Sequence, residues 1–356
     1  MKIAFPQMGD YYVPASFLLS HIFKKHKIMK NPKITNKTVL LGEKYSPLTV
    51  CTPFKYTLGT MIECLDEKAD ILIQMGGGCR YGYYSELQEK ILKDLGYNFK
   101  LINLVTEGKT SFKRINKLLK QIGKFSKIKA IYYGFITIKM IKYMDEIDDY
   151  IRKNIGFELE KDSFENLKNK MLISFSKVEN YRELKKLYKY YLKKFHSIKV
   201  HKPDNRLKVG IIGELYTIME PFSNYYLEKN LAKHNIEIKR FTNVYYLLMK
   251  KAKEYKKLKK YSNNYFHYSL GADASDNIAR CKYLCEKDYD GIIHIKSAFC
   301  TPEIGAMSII NKIANKYKKP VLFFTFDLNT SEVGIQTRLE AFYDMLEMRK
   351  NKWMHI

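Results

Sequence analysis

Three of the six cysteines stand where a parallel α/β fold places reactive groups. Cys79 and Cys300 each come shortly after an apolar stretch, DILIQM and GIIHI, of the kind that is typical of a buried strand. Cys51 and Cys300 each begin a Cys-Thr-Pro tripeptide, a pattern that favours a helix start. Ligands of open α/β sheets bind at strand ends, and helix N-termini favour thiolates. The three cysteines are therefore candidate metal ligands, with plain burial of each thiol as the alternative.

The loop before Cys79 contains Gly76, Gly77 and Gly78. Glycine has no Cβ, so this backbone can approach a bulky inorganic group closely. An iron–sulfur cluster is such a group, and its negative charge is stabilised by nearby backbone N–H groups. We expect Gly77 and Gly78 to line a cofactor site. None of the cysteine spacings matches a ferredoxin run or a zinc ribbon, so local sequence alone does not identify the metal.

The other three cysteines, Cys64, Cys281 and Cys285, lie on apolar stripes of predicted helices. Cys281 and Cys285 are four residues apart, a spacing that suits metal ligation and also suits two small core residues on one helix face. We favour structural burial for all three. A second set of three cysteine ligands is the alternative, whereas disulfides are rare in a long chain of this kind inside the cell.

Strand and helix patterns alternate over residues 1–135 and again over 207–356. Residues 136–206 are helical in pattern, highly charged and free of strand patterns, and they end in the linker HKPDNR. We predict an α/β protein with two doubly wound parallel-sheet domains joined by a helical connector. Strands are predicted at residues 2–6, 38–41, 70–75, 99–105, 130–135, 208–212, 236–241, 291–295 and 320–326.

The two predicted domains resemble each other in one segment, ECLDEKADILIQMGGGCRYG in the first and LCEKDYDGIIHIKSAFCTPEIG in the second. Each segment contains a helix end, an aspartate, an apolar strand and then a cysteine. This similarity fits a diverged duplication. We expect two cysteines from one domain and one from the other to bind a metal in the cleft between the domains.

The formal net charge of +26 comes mostly from lysines spread along predicted helices, and arginine is scarce. Specific nucleic-acid recognition usually uses arginine, and no helix-turn-helix or zinc-finger spacing is present. We therefore expect solvated helix faces; an acidic partner protein, a CoA phosphate or RNA is the alternative. The N-terminus has no secretory pattern and no apolar run is long enough to span a membrane, so we expect a cytoplasmic protein.

Other patterns give weaker signals. GIIGEL lacks the glycine spacing of a dinucleotide site, and hydrolase, P-loop and HExxH motifs are missing from the sequence. Asp327 ends a predicted strand and is a candidate site residue or helix cap. His294 lies within a predicted strand, where a core histidine with a hydrogen-bond partner is the favoured interpretation.

Several segments together make the chain resemble the 2-hydroxyacyl-CoA dehydratase component family. Within that family it resembles in particular the standalone proteins similar to the C-terminal part of large acyl-CoA dehydratase activases. The segments span nearly the whole chain except the helical connector, and CTPFK, FCTPE and TRLEAF make the match specific. They are MKIAFPQMGDYYVP, GEKYSPLTVCTPFK, GGGCRYGYYSELQEKILKDLGY, KVGIIGELYTIMEPFSN, DGIIHIKSAFCTPEIGAMSI and PVLFFTFDLNTSEVGIQTRLEAF.

The resemblance implies two Rossmann- or flavodoxin-like domains and an iron–sulfur cluster between them. Cys51, Cys79 and Cys300 match the family's cysteine motifs and would be the ligands. Relatives take part in anaerobic metabolism and receive low-potential electrons from an ATP-hydrolysing activator protein. Dehydratases use the electron to remove water from a CoA thioester through a ketyl radical, whereas relatives with a double-cubane cluster reduce small molecules.

The first functional hypothesis is thus a dehydratase-like lyase or an ATP-dependent reductase component. Its cluster is of the 4Fe–4S or the double-cubane type, and its substrate and any homodimer are left open. Lys55, Arg80 and Glu303 would tune the cluster, while Glu214 and Arg338 would serve a substrate or an interface. The alternative is a non-catalytic partner or scaffold of an acyl-CoA dehydratase activase, and an RNA-binding protein comes third.

Overall fold

The computed structural model describes residues 1–30, 32–104 and 111–354, and it divides into two compact units, Met1–Lys139 and Met140–Ile356. Within the described residues each unit contains one four-stranded sheet in which every strand pair is parallel. The predicted α/β class with two parallel sheets is confirmed. The strands are β1 (Lys2–Ala4), β2 (Lys27–Ile28), β3 (Ile71–Gln74) and β4 (Lys100–Asn103), in the order β2-β1-β3-β4, and β5 (Lys208–Gly213), β6 (Glu237–Arg240), β7 (Gly291–Ser297) and β8 (Val321–Phe326), in the order β6-β5-β7-β8.

Helices cover both sheets and make up most of the described residues between β4 and β5. None of those described is long and apolar enough to cross a membrane. They are α1 (Tyr12–Ile22), α2 (Asn36–Tyr45), α3 (Thr52–Asp66), α4 (Tyr84–Asp94), α5 (Phe112–Leu119), α6 (Lys127–Asn154), α7 (Ser163–Phe175), α8 (Tyr181–His196), α9 (Leu215–Met219), α10 (Leu227–Ala232), α11 (Lys251–Ser262), α12 (Ala274–Glu286), α13 (Thr301–Lys316) and α14 (Glu332–Met354).

Two strands predicted for the first unit are wrong, because residues 38–41 lie in α2 and residues 130–135 lie in α6. At the start of α2 the Thr35 hydroxyl accepts a hydrogen bond from the Thr38 N–H, and the Thr38 hydroxyl accepts one from the Thr35 N–H. This reciprocal capping box favours a helix over a strand. Of the predicted strand at 99–105, Val105 lies outside the described residues.

The central strands of the two sheets are anchored in the same way. The backbone N–H of Lys2 donates to Asp70 Oδ2 at 2.6 Å, and that of Lys208 donates to Asp290 Oδ2 at 2.7 Å. Each aspartate directly precedes the strand that carries the cysteine loop, β3 or β7. This shared construction, together with the equivalent strand orders, supports the duplication that the sequence indicates.

The helices α2 and α3 cross with their backbones nearly in contact. A Cβ added at Gly42 would overlap the carbonyl oxygen of Lys55, and one added at Gly59 would overlap that of Thr38. Because α3 begins directly after Cys51, this crossing fixes the position of Cys51 in the first unit.

Gly59→Ala is expected to lower the free energy of unfolding by about 1–3 kcal/mol, because a backbone carbonyl cannot move aside as a side chain can. Thermal denaturation followed by circular dichroism measures the change. The matched control is Gly134→Ala within α6, where nothing lies within 4 Å of the new Cβ and a gain of about 0.5–1 kcal/mol is expected. Equal effects of the two substitutions would contradict the close crossing.

Residues 136–206, the predicted helical connector, consist mainly of helices, as predicted. From Met140 onward they belong to the second unit. Acidic residues of α6 contact β6 and the loop after it. Asp149 Oδ1 lies 3.0 Å from Lys239 Nζ, and Asp145 Oδ2 accepts a hydrogen bond from the backbone N–H of Tyr245 at 2.8 Å. These contacts join the end of α6 to the second sheet. The domain limits drawn from the sequence stay a prediction.

Candidate metal-binding cysteines

Cys51 and Cys300 occupy equivalent positions on two helices. Each directly precedes the first helical residue, of α3 and α13 respectively, and a proline follows in the first turn. The carbonyl of Cys51 accepts a hydrogen bond from the Phe54 N–H at 3.0 Å, and that of Cys300 accepts one from the Ile304 N–H at 3.0 Å. Both helix starts predicted from Cys-Thr-Pro are therefore confirmed. The helix dipoles favour negative charge on these two thiols.

Cys79 lies in the loop after β3, directly before a 3₁₀ turn at Arg80–Tyr83. Its side chain is half-buried, and its carbonyl accepts a hydrogen bond from the Gly82 N–H at 2.9 Å. A Cβ at Gly77 would make ordinary contact with Tyr81, and Gly78 is exposed. The fold alone does not require glycine at position 77. Close approach of a cofactor to this loop stays a prediction.

Tyr84, which the sequence analysis missed, connects the two cysteine segments of the first unit. It is the first residue of α4, five residues after Cys79, and its hydroxyl oxygen lies 2.7 Å from Cys51 Sγ. Burial and the nearby Cys51 raise the pKa of Tyr84 above its ordinary value. The hydroxyl therefore keeps its proton and is the donor whenever Cys51 is a thiolate. This contact has no sequence signal, because it depends on how α3 and α4 pack.

Gln74, the last residue of β3, is a second group that the sequence did not reveal. Its side chain is 1% exposed, and neither its amide nitrogen nor its amide oxygen has a hydrogen-bond partner in the part of the chain that the structure describes. Alternate strand residues share a face, so Gln74 lies on the same face as Leu72, which packs with Phe54 of α3 and Tyr84 of α4. A buried amide without partners at a strand end fits a site that a polar group completes.

Glu303 lies in the first turn of α13 and is almost fully buried. Its Oε1 accepts a hydrogen bond from Asn277 Nδ2 at 2.9 Å, and its Oε2 lies 2.8 Å from His294 Nε2. The carboxylate thus joins α12, β7 and α13, and it fixes the helix that begins at Cys300. His294 is a core histidine with a partner, as predicted. A role for Glu303 in tuning a cluster stays a prediction.

Lys296, near the end of β7, is a buried cation that the sequence analysis did not single out. Its side chain is 4% exposed, and its ammonium group lies 3.4 Å from the carbonyl of Ala298. Burial lowers the pKa of Lys296, while the negative charges of Cys300 and Glu303 act in the opposite direction. Lys296 therefore lies within electrostatic reach of Cys300 and Glu303.

Two further residues predicted to tune a cluster lie near the cysteines in sequence. Lys55 is buried in the first turns of α3, with its Nζ 3.9 Å from Glu43 Oε1 of α2. Arg80 is exposed at the start of the turn that follows Cys79. The structure places both within the first unit, and their predicted role is not tested by these contacts.

Three weaker candidates stabilise local structure in the second unit. The Glu214 carboxylate caps α9 by accepting the N–H groups of Tyr216 and Thr217 at 2.9 and 2.8 Å. Asp327 Oδ1 accepts the Asn329 N–H at 2.9 Å, so this residue caps the turn after β8. Arg338 donates to the Phe323 carbonyl at 2.6 Å.

The remaining cysteines are buried in the cores of the two units. Cys64 packs in the core between α3 and β3, and Cys281 and Cys285 pack between α12 and α13. Burial, together with Glu67 and Glu63, raises the pKa of the Cys64 thiol to about 12. A hydrogen bond with Cys285, together with burial, raises the pKa of Cys281. Protonated, buried thiols such as those of Cys64 and Cys281 are inert, which supports a structural role for these two residues, whereas the hydrogen bond with Cys281 lowers the pKa of Cys285.

The described parts of the chain do not bring three His, Cys, Asp or Glu side chains together as a ready metal site. The fold defines a protein with two parallel α/β units. Its candidate thiols follow β3, follow β7 and precede α3.

The family model described as 2-hydroxyglutaryl-CoA dehydratase, D-component, matches residues 35–346. The chain therefore belongs to this family, which confirms the predicted relation to 2-hydroxyacyl-CoA dehydratase components. Among curated proteins, none matches the sequence.

Proposed function

We propose that the chain is an iron–sulfur redox component of the 2-hydroxyacyl-CoA dehydratase type. Cys51, Cys79 and Cys300 are its metal ligands. It accepts low-potential electrons from an ATP-hydrolysing activator protein and delivers them to a CoA thioester or another small molecule. Membership of the dehydratase D-component family carries this proposal. A bound 4Fe–4S or double-cubane cluster would supply one-electron transfer at low potential.

The residues around the thiols fit such a group. Cys51 and Cys300 begin helices whose N-terminal N–H groups and dipoles stabilise thiolates and the negative charge of a cluster. The buried ammonium of Lys296 offsets negative charge near Cys300. The Gln74 amide offers a donor and an acceptor that no described residue pairs with, at the end of β3. Each of these groups acts on an anionic or polar partner.

We expect protein purified without oxygen to contain about four irons and four sulfides per chain for one cubane cluster, and about twice as many for a double-cubane cluster. Iron and sulfide analysis with electron paramagnetic resonance after reduction measures this. Reduction of the cluster by an activator protein with ATP, and not without ATP, tests the electron route. A chain that takes up no iron on anaerobic reconstitution would contradict the proposal and leave the scaffold alternative, in which the basic surface would dock an acidic partner protein.

A further inference from the structure

We propose that Tyr84 is a positioning residue for Cys51. Its hydroxyl donates a hydrogen bond to the Cys51 sulfur, and this hydrogen bond raises the reduction potential of the iron that Cys51 binds. The inference rests on the proposed function, since it assigns a role toward iron held by Cys51. Hydrogen bonds to cysteine sulfur are one of the means by which proteins set cluster potentials. They stabilise the reduced state more, because that state places more negative charge on sulfur.

The Tyr84 hydroxyl makes two contacts with Cys51, one as a hydrogen-bond acceptor and one as a donor. Tyr84 Oη accepts the backbone N–H of Cys51 at 3.4 Å and lies 2.7 Å from Cys51 Sγ, to which it donates when the sulfur is a thiolate or binds a metal. The backbone contact orients the hydroxyl, and the contact with sulfur fixes the direction of the Cys51 side chain. A residue that merely fills the core would not need either contact.

The ring of Tyr84 is held on two sides. It packs edge-on against Phe54 with ring centroids 4.8 Å apart, and it lies tilted against Tyr81 at 5.2 Å. One turn further along α4, Gln88 Nε2 donates to the Phe54 carbonyl at 3.1 Å and to the Thr57 hydroxyl at 2.7 Å. These contacts hold α4 against α3. The ring would therefore stay in place without its hydroxyl, so Tyr84→Phe removes only the two hydrogen bonds to Cys51, one with its sulfur and one with its backbone N–H.

The neighbouring Tyr83 provides a matched control. Its side chain is 57% exposed, and it precedes Tyr84 at the end of the same turn. Tyr83→Phe makes the same chemical change one residue away. We expect Tyr83→Phe to leave the iron content and the potential of the chain as they are in the wild type.

The test is a redox titration, followed by electron paramagnetic resonance, of wild-type, Tyr84→Phe and Tyr83→Phe chains loaded with iron without oxygen. For Tyr84→Phe we expect wild-type iron content. We also expect the ratio of reduced to oxidised cluster at the wild-type midpoint to fall about tenfold, a shift of 59 mV for one electron. Incorporation of a more acidic difluorotyrosine at position 84 is expected to shift the potential in the opposite direction, and it serves where Tyr84→Phe binds iron poorly.

An iron-loaded Tyr84→Phe chain with the wild-type potential overturns the inference and leaves the proposed function intact. A potential that moves equally in Tyr83→Phe overturns it as well, because the effect would not depend on the contact with sulfur. A wild-type chain that binds no iron overturns the proposed function, and the inference falls with it.

Discussion

Replacing any one of Cys51, Cys79 and Cys300 by serine is expected to lower iron affinity at least about tenfold, since even groups that only support metal ligands contribute 10- to 100-fold. Three protein thiolates leave no ligand to spare, and a serine hydroxyl does not supply the thiolate that a cysteine gives to a bound metal. The loss of iron should occur whether the replaced cysteine lies in the first unit or in the second. Iron and sulfide analysis of anaerobically purified variants measures it.

The matched controls are the buried cysteines that the fold assigns to the cores. Cys64→Ala and Cys281→Ala are expected to lower stability and to keep wild-type iron, because these thiols are buried and their pKa values are raised. Circular dichroism separates loss of fold from loss of metal. A folded Cys79→Ser chain with full iron would contradict the ligand assignment. Iron lost from a folded Cys281→Ala chain would point to the second cysteine set.

The parallel sheets could be predicted because buried strands produce short, uninterrupted apolar runs between helical patterns. The errors have local causes. Residues 38–41 read TVLL, which fits a buried strand equally well, and only the capping box at Thr35 and the close crossing at Gly42 decide for a helix. Residues 130–135 are apolar on a 28-residue helix, whose length a six-residue window does not reveal.

The candidate site divides in the same way between local and tertiary signals. The helix starts after Cys51 and Cys300 can be predicted from the adjacent residues, since proline and threonine act within one turn. Tyr84, Gln74 and Lys296 could not be found, because their significance lies in contacts or burial set by distant segments. A sequence pattern identifies a residue type and a position along an element. A sequence pattern does not show whether a side chain such as that of Gln74 finds hydrogen-bond partners in the fold.

Glu228→Gln is expected to lower the free energy of unfolding of the second unit by about 3–5 kcal/mol, because it leaves buried guanidinium groups without their shared carboxylate. Arg152 Nε lies 3.1 and 3.0 Å from the two Glu228 oxygens, and Arg240 Nη1 lies 2.7 Å from Oε1. Both arginine side chains are 7% exposed, and Arg240 Nε has no partner among the described residues. Urea denaturation followed by circular dichroism measures the change.

The neighbouring pair between Lys229 and Glu165 shows what burial adds to this effect. Its atoms lie 2.7 Å apart, but both side chains are about half exposed, so Glu165→Gln is expected to cost only about 0–1 kcal/mol. Similar losses in the two variants would contradict the role of burial. Adding Arg240→Met to Glu228→Gln should recover part of the stability, because it removes one uncompensated charge.

The stability attributed to Glu228 should also depend on pH. Burial acts to raise the pKa of this carboxyl, but Arg152 and Arg240 outweigh burial and hold the pKa below the ordinary 4.5. A lowered folded pKa means that the stabilisation is complete above the ordinary value and is lost as the pH falls through the folded one. The stability difference between wild type and Glu228→Gln should therefore be constant near neutral pH and shrink below about pH 4.5. A difference that grows on acidification would show that the carboxylate is not held in its charged form by the two arginines.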